Sequence, residues 1–263
     1  MSSLPHQMNG ALRLALVEFA VTFAWNFVGN FLFALCAEPS LLRTSGWICT
    51  NLDVTGQLCV PDATILQRFL PLMSVAMLLF FDVLGMVSLG ARLNPAFVLA
   101  ERLLGRLGKM QFGALIVAQI AAHALALSLV QWFVRSRLGW SFSLQPPVPT
   151  SEISLLHAMT VEAALTTMIV YALIMLPTFV TQPRIRPLLV PVVISGLIYA
   201  GWDWTGASMN PAMYVGLAFA SRVALVHPEV YILGPLIGAC VAALAIYGTE
   251  KLRAGAAKVT KSA

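Results

Sequence analysis

The motif Gly-Ala-x-x-Asn-Pro-Ala occurs twice, at 90–96 and 206–212, each time with an apolar residue just before the Asn. A second echo lies upstream of each copy, where Val17-Glu18-Phe19-Ala20 answers Val161-Glu162-Ala163-Ala164. The chain therefore reads as two related halves. What surrounds the motifs decides the solvent: 59% of the 263 residues are hydrophobic and 10% are charged, against about 25% charged in a soluble domain. A bilayer helix needs about 20 apolar residues, and the sequence predicts six spans near 12–36, 66–89, 111–134, 153–176, 188–205 and 229–249. Three spans per half is an odd number, so the second half is inverted relative to the first, an arrangement that places a site near the membrane midplane. The expected fold is all-α, with repeat one over about 12–134, repeat two over about 153–249 and a basic tail at 250–263. The whole of 1–263 is expected to form a single domain.

Each Asn-Pro-Ala sits at the head of an apolar stretch too short to cross, 94–100 and 210–221. Proline suits the first helical position because it has no N–H to leave unpaired, and Asn is among the best N-caps. Asn94-Pro95-Ala96 and Asn210-Pro211-Ala212 are thus expected to open two half-membrane helices. Inversion brings one in from each side, so their N-termini meet, each contributing roughly +0.5 of an elementary charge. Broken helices are tolerated in a membrane only where they line a water-filled cavity or are packed in protein. Amide donors from Asn94 and Asn210 together with two positive helix ends suit a neutral, polar permeant and disfavour cations and protons. Glu18 and Glu162 are intramembrane carboxylates, costly unless partnered. Each is read as an acceptor for the loop of its own half, and a proton relay is the alternative. Asp82 is a third intramembrane carboxylate, readable as a partner for a loop N–H.

The basic residues Arg13, Arg92, Arg102, Arg106, Lys109, Arg184, Arg186, Lys251, Arg253, Lys258 and Lys261, 11 of the 16, fall on the side that holds both termini. The positive-inside rule makes that side cytoplasmic. The net charge of +5 is therefore an orientation signal, and no nucleic-acid partner is expected. Cys36, Cys49, Cys59 and Cys240 have no CxxC or Cys/His spacing, so no metal and no cofactor is expected. Cys49 and Cys59 share a polar loop and are either bridged or two free thiols. The apolar run 14–37 is too long for a signal-peptide core and contains Glu18, so it reads as the first span. His123 and His157 read as structural, with a gate or ligand as the alternative, and His227 reads as a cap at the entrance of the sixth span, with pH sensing as the alternative. A serine protease built on Ser208 lacks a His base in evident order, and an ion-coupled transporter lacks further charges along the spans.

On the paired Asn-Pro-Ala motifs, Glu18 and Glu162, Ala118-Gln119 and Thr205-Gly206, the chain resembles the aquaporin (major intrinsic protein) family over about residues 12–249. The run Trp204-Thr205-Gly206-Ala207-Ser208-Met209-Asn210-Pro211-Ala212 and the basic tail are most similar to the small basic intrinsic protein subfamily, although Ala96 gives the general form of the first motif. The resemblance implies a passive channel for water or a small neutral solute such as glycerol or hydrogen peroxide, without enzymatic activity. It also implies a homotetramer in membrane lipid with one pore per subunit. A non-conducting structural protein of the same fold is the alternative. The outer selectivity constriction carries over by spacing to Ser74, Ile198, Ala207 and Met213. The family's usual Arg after the second Asn-Pro-Ala is Met213 here, which removes a fixed positive charge. The subfamily implies the endoplasmic reticulum membrane, with the plasma membrane as the alternative.

Overall fold

In a bilayer each backbone N–H and C=O must find its partner within the protein, so long apolar segments close their hydrogen bonds as helices. A computed structural model of the chain describes residues 4–37, 47–52, 56–61, 71–76, 91–139 and 144–262. Helix α1 spans Leu4–Ala37. The short α2, Pro95–Leu103, is followed by α3, Lys109–Ser136, and α4, Leu155–Phe179. Next come α5, Arg186–Thr205, and a second short helix, α6, Pro211–Ser221. A π-helical turn over Glu229–Leu233 leads into α7, Gly234–Ser262.

Five stretches among the described residues are long and apolar enough to cross a membrane: Gly10–Cys36, Lys109–Ser136, Leu155–Phe179, Leu188–Thr205 and Glu229–Ala256. They coincide with five of the six expected spans. The other, 66–89, lies mostly outside the described residues; its 71–76 portion is helical. Asp82 also lies outside them. Two features go beyond the sequence reading. The basic tail is helical, a continuation of α7 to Ser262. An antiparallel hairpin interrupts the otherwise helical fold, with β1 at Trp47–Leu52 and β2 at Gly56–Pro61, in a register that sets Cys49 opposite Cys59.

Local chemistry ends the helices. The Ser154 side chain accepts from the His157 N–H at 3.2 Å to cap α4, and the Gln111 side chain accepts from the Gly108 N–H at 3.0 Å ahead of α3. At the end of α5, Gly206 adopts φ 76°, a left-handed conformation that glycine takes without steric cost.

Packing then crosses the two halves. The first half-helix, α2, lies against α7 of the second repeat, and α6 lies against α3 of the first, while α1 pairs with α3 and α4 with α7. Small residues allow these approaches, as is usual where lipid supplies no hydrophobic drive between helices. A Cβ on Gly216 of α6 would stand 2.7 Å from the His123 Cβ, and one on Gly238 of α7 would stand 2.4 Å from the Ala163 carbonyl. The Gly234/Gly238 spacing thus serves the α4–α7 contact inside the bundle. On α1 the rings of Phe19, Phe23, Phe27 and Phe31 stack one turn apart at 6.2, 6.2 and 6.5 Å, and Phe31 meets Phe133 of α3 edge-on at 5.8 Å.

Candidate functional site

Both half-helices start as local chemistry dictates. Asn94, at φ −150° and ψ 126°, accepts from the Ala96 N–H at 2.8 Å, and Pro95 is the first helical residue. Asn210, at φ −140° and ψ 101°, accepts from the Ala212 and Met213 N–H groups at 3.1 and 3.4 Å, ahead of Pro211. The other end of each amide reaches across to the opposite half. Asn94 Nδ2 donates to the Met209 carbonyl at 2.8 Å, and Asn210 Nδ2 donates to the Leu93 carbonyl at 3.0 Å. This reciprocal clasp holds the two helix N-termini face to face. Leu93 and Met209 can present their carbonyls because both adopt left-handed backbones, φ 59° and 49°, at roughly 1–3 kcal/mol each. An Asn amide carries two donors, so the clasp engages one per residue and not the whole amide.

Each loop is anchored by the buried carboxylate of its own half. Glu18 accepts from the Arg92 N–H at 3.0 and 2.9 Å, from the Leu93 N–H at 2.5 Å and from Gln119 Nε2 at 2.7 Å. Glu162 accepts from the Ser208 N–H at 3.0 Å, the Met209 N–H at 2.7 Å and the Thr205 hydroxyl at 2.6 Å. In both halves the bonded N–H groups are the two immediately before the Asn. A second tier supports the second half. The Tyr231 hydroxyl, placed by the π-helical turn, donates to the Thr205 carbonyl at 3.0 Å, and its ring stacks on Tyr214 at 4.9 Å. Tyr214 in turn donates to the Val226 carbonyl.

The four expected constriction residues do not share one cluster. Ser74 and Ser195 hydroxyls stand 3.0 Å apart. Ile198 and Ala207 belong with Leu165, Ile169 and Met209. Met213 packs instead against the group containing Ala34, Leu127 and Leu217, beside Phe27 and Phe31. Of the histidines, His123 is buried with Nδ1 2.8 Å from the Gln119 carbonyl oxygen, His157 lies 5.3 Å from the Trp204 ring, and His227 pairs with Glu229 at 3.3 Å. Three features escaped the sequence reading. Gln119 and Thr205 appeared there as motif residues without partners. Thr22 and Thr166, each four residues after its Glu and fully buried, extend the upstream echo to Val-Glu-x-x-x-Thr. The ion pair between Arg92 Nε and Glu101 Oε2, at 2.7 Å, was signalled only by opposite charges nine positions apart.

Two inverted half-helices clasped at their N-termini, each tied to a buried Glu within a bundle of apolar spans, define an integral membrane protein of the channel class. The sequence profile of the family described as Major intrinsic protein matches residues 15–247. The chain belongs to the major intrinsic protein family, and it is a passive membrane channel for water and small solutes, not an enzyme. It is 29% identical over 243 residues to a probable aquaporin TIP4-1 of Oryza sativa subsp. japonica, covering 89% of this chain and 86% of that one. A glycerol uptake facilitator protein-like 6 of Lactiplantibacillus plantarum is 33% identical over 169 residues, 61% of this chain and 76% of the relative. Among solved structures, the aquaglyceroporin from Plasmodium falciparum superposes with a TM-score of 0.59 at 18% identity, covering 89% of this chain and 93% of that one, a likeness of fold. The small basic subfamily resemblance rests on the 204–212 run and the basic tail.

Proposed function

We infer that water, and with it small neutral solutes such as glycerol or hydrogen peroxide, passes between Asn94 and Asn210. The observation that carries this is the reciprocal clasp: it fixes two helix N-termini against each other, leaves each Asn amide one further N–H, and surrounds the permeant with partial positive charge. A water molecule crossing there exchanges hydrogen bonds with the amides, and cations meet an unfavourable field. Glu18 and Glu162 act as loop supports, each committed to the two backbone N–H groups ahead of its Asn. Pro95, Ala96, Pro211 and Ala212 keep the helix starts compact, with Ala96 and Ala212 fully buried.

Ser74, Ile198, Ala207 and Met213 form the outer constriction in this reading. Methionine in place of a guanidinium makes it more apolar, which favours glycerol over a strict water filter. Direct comparison of water and glycerol fluxes in proteoliposomes tests this: both permeate the wild type, and Met213→Arg lowers glycerol flux several-fold more than water flux. Equal loss of both contradicts the assignment of Met213 to the constriction. Both termini are cytoplasmic in this reading, which the charge bias supports. The assembly is a homotetramer with lipid around it and one pore per protomer. The membrane is that of the endoplasmic reticulum on the subfamily resemblance, with the plasma membrane as the alternative, which fractionation of expressing cells decides.

A further inference from the structure

One face of α7 has no part in the clasp or its supports. Cys240, Ala243, Leu244, Tyr247 and Lys251 recur at i, i+3, i+4, i+7 and i+11, the spacing of a single helix face. The first four of them, with Leu103 and Leu104 at the end of α2, line a groove of about 340 Å³. Leu103, Leu244 and Tyr247 are 55%, 73% and 53% exposed, so the groove opens on the outer surface of the bundle. Its wall is apolar and a charge stands at one end. Lys251 Nζ lies 4.8 Å from the centroid of the Tyr247 ring, whose face attracts an ammonium without neutralising it. The adjacent carboxylate, Glu250, is paired with Arg106 at 2.6 Å. Among the described residues no carboxylate pairs with Lys251.

We propose that this groove binds an anionic phospholipid, with one acyl chain lying along it from Tyr247 to Cys240 and the phosphate on Lys251. Length and charge together select this occupant. From Lys251 back to Cys240 is eleven residues, or about 16 Å at 1.5 Å per residue, and half of a hydrocarbon core is about 15 Å. Cys240 lies close to the middle of the apolar span Glu229–Ala256, so the groove runs from the midplane to the depth at which headgroups begin. A second copy of this chain seated here would have to bury the Lys251 charge or bring a carboxylate to it, since an unpaired buried charge is costly. A phospholipid brings its phosphate on the same molecule as its apolar chain. Net negative charge is favoured because the choline of a zwitterionic headgroup offsets its own phosphate. In the orientation proposed above, the site faces the cytoplasmic leaflet, where anionic lipids and juxtamembrane basic residues meet.

Native mass spectrometry of the full chain in detergent, titrated separately with dioleoyl phosphatidylglycerol and dioleoyl phosphatidylcholine, reads lipid affinity per protomer and oligomeric mass together. The wild type is expected to bind phosphatidylglycerol about fivefold more tightly, the effect of one basic residue at a lipid surface. Lys251→Gln removes this preference and Lys251→Arg keeps it. Arg253→Gln, whose guanidinium lies instead over the Phe179 ring at 5.9 Å, leaves it unchanged. Cys240→Trp fills the deep end of the groove and weakens both lipids several-fold. A preference that survives Lys251→Gln, or that falls equally in Arg253→Gln, overturns the proposal, the second by marking a diffuse basic surface. Lipid affinities unchanged in Cys240→Trp overturn it too, and a changed oligomeric mass in that variant would then assign the groove to a second copy. If Cys240→Trp does not fold, the contrast between Lys251→Gln and Arg253→Gln, both at exposed positions, decides. None of these outcomes depends on what the pore conducts.

Discussion

Glu18 and Glu162 share one task with unequal equipment. Glu18 is completed by a side-chain amide, Gln119, and Glu162 by a hydroxyl, Thr205, which is itself backed by Tyr231. In both cases the carboxylate faces donors only, so replacement by Gln turns an N–H toward an N–H. A buried donor left unsatisfied costs about 1–3 kcal/mol. Glu162→Gln is accordingly expected to lower the thermal midpoint in detergent and to reduce water flux, whereas Thr205→Ser, which keeps the hydroxyl, retains most of both; unchanged stability and flux in Glu162→Gln would contradict the supporting role. The residues at the clasp were legible in the sequence because capping is local: Asn before Pro at the head of an apolar run has few other uses. Their second bonds were not legible. They depend on left-handed backbones at Leu93 and Met209, and nothing in the residue types Leu and Met announces that conformation.

Among the elements, the half-helices gain their stability by docking on the third span of the opposite repeat, through contacts that only small residues permit. Gly216 of α6 shows how little room there is, with the His123 Cβ inside the space a Cβ would take, and Gly238 shows the same between α7 and α4, against the Ala163 carbonyl and the Thr166 Cβ. Gly238→Leu overpacks this contact at about 1–3 kcal/mol or more, and should lower the thermal midpoint clearly. Gly248→Leu, ten residues on in the same helix with open space around it, serves as control and should change it little. Gly→Leu favours the helix at both positions, so a similar fall in both would show that the α4–α7 contact does not set the effect. Span positions were readable because apolar run length is a direct image of bilayer thickness. The extension of α7 to Ser262 was not readable, since a basic run after a span looks alike whether it leaves the membrane as helix or as coil. Nor was the partnership of Gln119 with Glu18, which joins residues 101 positions apart.

For the whole molecule, inversion explains why one short motif suffices for a site: each half supplies half of it, and the fold brings the halves together at the clasp. The exposed apolar faces, including Val117, Leu156, Val192, Tyr199 and Leu244, are suited to lipid or to neighbouring protomers. The homotetramer proposed here predicts a protein mass of four times 28.4 kDa in detergent once bound detergent is subtracted; a single protomer mass in mild detergent would contradict it. We infer that, whatever its assembly or membrane, the protein passes a neutral permeant between Asn94 and Asn210. The most direct test of this is stopped-flow osmotic shrinkage of proteoliposomes holding the wild type or the Asn94→Ala/Asn210→Ala variant, read as rate and as temperature dependence. Rapid shrinkage with a low activation energy, lost in the double variant while the folded protein is still incorporated, is the expected result. Wild-type vesicles that shrink no faster than empty ones, or a double variant that conducts as well as the wild type, would contradict the account.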